Sequence, residues 1–254
     1  REYLYYGGLP HILAEPDSES KSAYLERLNK EIYLRDLCER YDIRDQNGME
    51  LLMKVISSAV GSLSNAQKIS DTFKSSGNKS MSKPTISNYL KYLQESFLIQ
   101  KAERYDIKGR KYISTPSKYY YTDLGLRNAL LNFRQFEETH LMENAIYNEL
   151  IYRGYSVDVG VVEVRTPENG KMLKKQLEVD FVVNHASRRY YIQSAFALPD
   201  QEKINQEQAS LIHIPDSFKK IMIVGGNTPI WRNEKGITIM GIYDFLLNEN
   251  SLDL

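Results

Sequence analysis

Among its 254 residues the chain has one cysteine, Cys38. A single thiol excludes an internal disulfide and any multi-cysteine zinc site, and points to a reducing, cytoplasmic compartment. Cys38 falls on the apolar stripe of a helix, where a small hydrophobe is expected rather than a nucleophile. Long apolar runs are also missing: the longest are a few residues, far from the roughly 20 that cross a bilayer, and no charged-then-apolar leader opens the chain. No membrane partner is expected. The phosphate-cradling loop G-x-x-x-x-G-K-S/T and the pattern G-x-G-x-x-G are absent, so no glycine-rich turn presents backbone N–H groups to a nucleotide. There is no G-x-S-x-G elbow to single out one serine. His11, His140, His185 and His213 lack the close spacing of a metal cluster. Lys plus Arg and Asp plus Glu number 33 each, so net charge is silent about partners and only its distribution can speak.

What is present is an ordinary globular composition, 42% hydrophobic and 26% charged, which excludes a disordered or collagenous chain. The 19 tyrosines read as core-edge architecture, each ring packed and each hydroxyl satisfied. The chain opens at Arg1, inside an apparent helix, and reads as part of something longer. Apolar residues Leu25, Leu28, Ile32, Leu37 and Cys38 predict a helix over 18–41, and 45–48 reads as a linker. Further helices are expected over 49–60, ending at Gly61, over 65–73, and over 84–97, where Ile86, Leu90, Leu93 and Phe97 form one stripe. Two strand-like runs, 98–107 and 111–121, meet at Lys108, Gly109 and Arg110, with Gly109 expected to supply the positive φ of the turn. Helix, turn, helix, hairpin is the winged-helix order.

The last half alternates helix and strand: a helix over 138–153, strands over 156–166, 177–186 and 188–198 with a turn at 167–171, a helix over 200–212, then a strand at 221–226 and a closing strand and helix. That pattern predicts a small α/β domain with a mixed sheet. Trp231 reads as a loop anchor packing on the sheet.

Between Asn78 and Lys118 stand nine basic residues, Lys79, Lys83, Lys91, Lys101, Arg104, Lys108, Arg110, Lys111 and Lys118, against Glu95, Glu103 and Asp106. They mark the approach to the recognition helix, its exposed face and the wing, where a winged helix meets phosphate. Thr85, Ser87 and Asn88 are placed to reach base edges or phosphates. Lys83, Thr85, Asn88, Lys91, Arg104, Lys108, Arg110 and Lys111 are the nucleic-acid candidates, with DNA the expected partner. The competing reading is a solvated basic face on a winged helix used for protein contacts.

The run KYYYTDLGLRNALL, Lys118 to Leu131, closely resembles the segment after the wing in a widespread family of prokaryotic AAA-type ATPases, where a tyrosine-rich strand meets a D-x-GLRN helix start. GGLP at Gly7 to Pro10, ENAIYNEL at Glu143 to Leu150 and EVDFVV at Glu178 to Val183 match in the same order, so the resemblance covers nearly all of the chain. It implies an N-terminal P-loop module that binds ATP and is absent from this chain. A winged helix then follows, and after it a C-terminal domain of unassigned function resembling the PD-(D/E)XK nuclease core. The implied architecture, of α+β or α/β class, is a helical remnant of the ATPase lid over 1–45, a winged helix-turn-helix over 46–135, and a restriction-endonuclease-like mixed sheet flanked by helices over 136–254.

That nuclease core places a helix glutamate, a strand aspartate and an E-x-K strand around Mg²⁺. Glu143 shares a helical stripe with Ile146, Tyr147 and Leu150 and matches the glutamate; Glu149 lies on the far side. Strict alternation puts Leu177, Val179, Phe181 and Val183 on one face and Asp180 on the other, at the aspartate position. The next strand departs from the pattern, with Gln193 at the acidic position and Ala195 at the lysine. An amide adds no charge and alanine transfers no proton. Lys203 is the one candidate for a displaced lysine. The expectation is a domain that has lost hydrolysis, with Glu143 and Asp180 bonded to backbone N–H groups or tyrosine hydroxyls. The alternatives are a Mg²⁺-dependent nuclease in which Glu143 and Asp180 hold the metal, and a module for protein interaction, ATPase docking or homo-oligomer assembly.

Overall fold

The computed structural model describes residues 1–75, 77, 81–168 and 171–254, with the side chains of Ile32, Glu168 and Lys171 left aside. The expectations placed on Lys79, on the side chain of Ile32 and on the tip of the 167–171 turn lie outside the described residues. The fold is mixed α/β, an eight-stranded mixed sheet flanked by helices. The chain forms two compact units, Arg1–Lys101 with Pro116–Ala145, and Ala102–Thr115 with Ile146–Leu254.

The first unit opens with α1 (Glu2–Tyr6), α2 (Ser18–Arg27) and α3 (Arg35–Arg40), and a π-helical stretch, Leu28–Leu34, joins the last two. At 3.6 residues per turn Leu25 and Leu37 would lie about a third of a turn apart. The wider π winding brings both, with Cys38, to the buried side. Then come α4 (Gln46–Ser58), α5 (Ala66–Ser75) and α6 (Lys83–Glu95). Residues 45–48 are a helix start rather than a linker: the Asp45 side chain accepts from the Gly48 amide at 2.8 Å and so caps α4. Ser82 caps α6 in the same way. Met49, Leu52, Met53 and Ile56 of α4, Ile69 and Phe73 of α5, and Ile86, Leu90 and Leu93 of α6 are all buried, each set on one side of its helix. Phe97, expected on the α6 stripe, is 77% exposed instead. It sits at φ 56° just past the helix, where the Leu98 amide reaches back to the Leu93 carbonyl at 3.0 Å and ends the turn.

Strands β1 (Ile99–Asp106) and β2 (Lys111–Tyr121) follow, then α7 (Leu124–Leu130) and α8 (Glu138–Tyr152). In the β1–β2 turn the positive φ belongs to Arg110, at 52°, and not to Gly109. Gly109 is held by its amide donating to Asp106 Oδ1 at 2.9 Å, a side-chain turn that leaves the left-handed residue one position later. The hairpin does not end as a free wing. Arg104, Tyr105 and Asp106 pair in parallel with Val159, Gly160 and Val161, because a strand edge with unpaired N–H and C=O groups takes up a neighbouring strand where one is at hand.

The second unit adds β3 (Ser156–Glu168), β4 (Lys171–His185), β5 (Arg188–Ala195), α9 (Gln201–Ile212), β6 (Lys219–Val224), β7 (Trp231–Arg232), β8 (Thr238–Gly241) and α10 (Ile242–Leu247). The sheet order is β2-β1-β3-β4-β5-β6-β8-β7. β3, β4 and β5 are an antiparallel meander, and β6 returns parallel to β5 after the α9 crossover that a parallel pair requires. The β3–β4 register shifts between Asp158 and Gly160, so that Asp180 and Phe181 together oppose Val159. This bulge breaks the expected alternation: Val179 and Val182 enter the same core cluster, with Tyr191, Leu211 and Met222, while Phe181 meets the Tyr147 ring of α8. Trp231 is half exposed on β7, pairing with Ile239 by backbone instead of anchoring a loop. No helix among the described residues is long and apolar enough to cross a membrane.

Candidate functional site

The bulge on β4 sets the first candidate site. Asp180 is buried there, its Oδ2 accepting from the Ser194 amide of β5 at 2.8 Å. Its own amide donates to Gln193 Oε1 at 3.4 Å, and the Ser210 hydroxyl of α9 donates to the same oxygen at 3.3 Å. Gln193 Nε2 lies 3.5 Å from Glu207 Oε2, and Glu207 in turn pairs with Lys203 one helical turn away. The structure thus brings Asp180, Gln193 and Lys203 into one polar chain, linked by Glu207, which sequence reasoning did not single out. Its only signal was the i, i+4 spacing from Lys203 on a helix that crosses the sheet. Ala195, which the sequence resemblance sets against a lysine, is buried in the apolar cluster with Leu211 and Met222.

Glu143 belongs to the first unit, on α8. Its carboxylate is buried, with Oε1 accepting from Lys118 Nζ at 2.9 Å and from the Tyr120 hydroxyl at 2.7 Å, both on β2. Lys118 is therefore no part of a basic surface: its side chain is 3% exposed and closes a buried ion pair. Period-two alternation in KYYY is the signal that puts Lys118 and Tyr120 on one face. Next to it Asn144 closes both backbone groups of Tyr121, its Oδ1 accepting from the amide at 2.9 Å and its Nδ2 donating to the carbonyl at 2.8 Å.

These donor sets do not suit Mg²⁺, which wants several free oxygens. Asp180 spends an oxygen on a backbone amide, Gln193 is neutral, Glu207 is neutralised by Lys203, and Glu143 is neutralised by Lys118. Among the described residues no group of three or more His, Cys, Asp and Glu side chains is arranged to hold a metal ion. Burial pushes the Cys38 thiol up, away from the reactive thiolate.

The nucleic-acid candidates divide between the units. On α6, Lys83, Ser87, Asn88 and Lys91 are exposed, opposite buried Ile86, Tyr89, Leu90 and Leu93. Thr85 is spent on the cap, its hydroxyl 2.8 Å from that of Ser82. Lys91 lies 3.5 Å from Glu95, an exposed pair worth little to stability. Arg104, Lys108, Arg110 and Lys111 fall in the second unit. There Arg104 donates to Gln176 Oε1 at 3.0 Å and Lys108 to the Glu163 carbonyl at 2.9 Å, while Arg110 and Lys111 are exposed at the turn.

The GGLP and TDLGLRN motifs meet each other. Asp123 caps α7 by accepting from Leu126 N at 3.0 Å and also accepts from Gly8 N at 2.7 Å. Asn128 Nδ2 donates to the carbonyls of Leu4 and Tyr5, both at 2.9 Å, tying α1 to α7. Arg127, fully buried, donates to the Ser57, Asn128 and Gln135 oxygens, and burial holds its guanidinium below the ordinary arginine value. These residues build the fold.

Residues 1–137 match the family described as a domain of unknown function, DUF8612. The chain belongs to this family. The DUF8612 span holds the Gly8–Asp123 bond and α6, and stops short of Glu143, Asp180 and Gln193. An uncharacterized protein of Haemophilus influenzae is 34% identical over 249 residues, which are 97% of this chain and 57% of that protein. An uncharacterized protein of Methanocaldococcus jannaschii is 27% identical over 208 residues, 82% of this chain and 44% of that one. The chain therefore spans about half the length of these relatives. No solved structure matches.

Proposed function

We propose that the chain is the nucleic-acid-binding region of a cytoplasmic, prokaryotic AAA-type ATPase, with a nuclease-like second unit that does not hydrolyse. The observation that carries the binding reading is α6: a capped helix of a helical triad, buried along one side, with Lys83, Asn88 and Lys91 on the other. A helix so presented fits a duplex groove, its lysines meeting phosphate and Asn88 a base edge. The loss of hydrolysis rests on the neutralised carboxylates and on Ala195 in the core. The ATPase assignment rests on the motif resemblance and on relatives in a bacterium and an archaeon whose length leaves room for an ATP-binding module.

The test is duplex DNA binding by this chain across a salt series, with and without Mg²⁺, the DNA being checked for cuts. Affinity should fall steeply with salt, and Lys83→Ala with Lys91→Ala should lower the log–log slope by nearly one unit for each phosphate those lysines neutralise. DNA should stay intact. Absence of duplex binding at low salt, or an unchanged slope in the double variant, overturns the binding reading and leaves assembly as the alternative. Mg²⁺-dependent cutting abolished by Asp180→Ala overturns the loss of hydrolysis.

A further inference from the structure

We propose that the second unit carries a separate groove for a single nucleic-acid strand, a site that deepens the nucleic-acid reading above and rests on it. The groove is a cavity of about 760 Å³ at one end of the sheet, beside the β1–β2 turn, the β4–β5 turn and the loop before β6. Four cations line it: Lys108 and Arg110 from the first turn, Arg188 and Arg189 from the start of β5. Two aromatic rings, Tyr105 and Phe218, stand with them.

The Arg189 guanidinium lies 5.5 Å from the Tyr105 ring centroid and 5.6 Å from that of Phe218, and its Nε donates to Asn184 Oδ1 at 2.7 Å. It is thereby fixed as a planar cation between two π faces. Phe218 is 42% exposed, so a ring remains open to the cavity. Tyr112 packs edge-on against Tyr105 at 5.4 Å and holds it. The one carboxylate in the lining, Asp216, is occupied: its Oδ2 accepts from the Tyr191 hydroxyl at 2.6 Å and its Oδ1 from the Phe218 amide at 3.2 Å. Asp253 pairs with Arg188 at 2.9 Å, and both remain about half exposed. Among the described residues Lys108 donates to the Glu163 carbonyl, a neutral partner that leaves its charge unneutralised.

Cations along a groove follow a phosphate backbone, and exposed rings beside them stack on bases. Stacking of this kind needs an unpaired base, because a duplex hides its base faces. The chemistry is shared by single-stranded DNA and RNA.

The experiment is fluorescence anisotropy of the intact chain with labelled oligo-dT and oligo-rU of about 16 nucleotides, and with a mixed-sequence duplex. Three proteins are compared: the unaltered chain, Arg110→Ala with Phe218→Ala, and Lys83→Ala with Lys91→Ala. Removing the ring under one base and the cation at one phosphate should weaken strand binding roughly tenfold or more in the groove variant. Strand binding should be unchanged in the α6 variant, and duplex binding the reverse. Both groove positions are exposed, so circular dichroism should match the unaltered chain. Should it differ, Arg110→Glu alone is read in its place and should weaken strand binding at least as much. Binding of dT or rU, or both, supports the groove and identifies its strand. Strand binding unaltered in the groove variant while duplex binding falls in the α6 variant overturns the groove alone. No binding of any nucleic acid overturns both readings.

Discussion

The amide of Gly8 donates to the carboxylate of Asp123 at 2.7 Å, across 115 residues of chain. The same carboxyl caps α7, so one side chain both starts a helix and fastens the first helix of the chain to it. Burial raises the Asp123 carboxyl above its ordinary value, against the opposing pull of the Gly8 and Leu126 amides. An acid whose folded value exceeds its unfolded one keeps more protons in the folded state. Its contribution is full at low pH and is lost as pH rises from the ordinary aspartate value through the raised one. Asp123→Asn should abolish that part of the pH dependence. Urea midpoints measured between pH 3.5 and 7 should diverge in slope between the two proteins, and parallel profiles would refute the raised value.

The glycines around this bond are set by space. A Cβ on Gly125 would sit 2.0 Å from the Tyr6 carbonyl oxygen, which is backbone and cannot step aside. Gly125→Ala should therefore cost about 3 kcal/mol or more. Gly154, at φ 79° with nothing within 4 Å of its Cβ position, supplies the control. Gly154→Ala should cost only about 1 kcal/mol of backbone strain. Chemical denaturation of both variants would check the contrast.

The buried Lys118–Glu143 pair predicts a large asymmetry. Lys118→Met leaves the Glu143 carboxylate in the interior with the Tyr120 hydroxyl and no cation, and should destabilise by about 3–5 kcal/mol. Adding Glu143→Gln should return much of that loss, because the uncompensated charge is gone. A double-mutant cycle in urea reads this directly; additive losses would mean that the pair is not coupled.

Phe97 offers a stabilising change. It holds a left-handed conformation at the end of α6 while its ring is 77% exposed, so glycine would lose little packing and remove the strain. Phe97→Gly should raise stability by about 1 kcal/mol. A fall in the thermal midpoint would instead show that the exposed ring contributes to the fold.

Much of the local structure was legible in the chain because it depends on neighbours in sequence. The apolar spacing of Ile86, Leu90 and Leu93 is a helix face wherever the helix packs. Alternation in KYYY carries Lys118 and Tyr120 to one face, yet Lys118 reads from the sequence as part of the basic surface. What stayed hidden was non-local. The π-helical turn answers to burial of Leu25 and Leu37, and the positive φ passed from Gly109 to Arg110 once Asp106 took the glycine amide.

The candidate sites divide along the same line. The sequence alone determined that Gln193 is neutral and Ala195 apolar, that Cys38 has no second cysteine for a disulfide, and that cations crowd the middle of the chain. Only the tertiary structure decided which cations remain available. Lys118 disappeared into a buried pair, and the hairpin joined the sheet through β3. Arg188 and Arg189 arrived from about eighty positions downstream, beside Lys108 and Arg110. The physical reason is that charge is a property of a residue, whereas exposure and company are properties of a packed interior, and strand pairing and burial join residues whose distance in sequence carries no information about their distance in space.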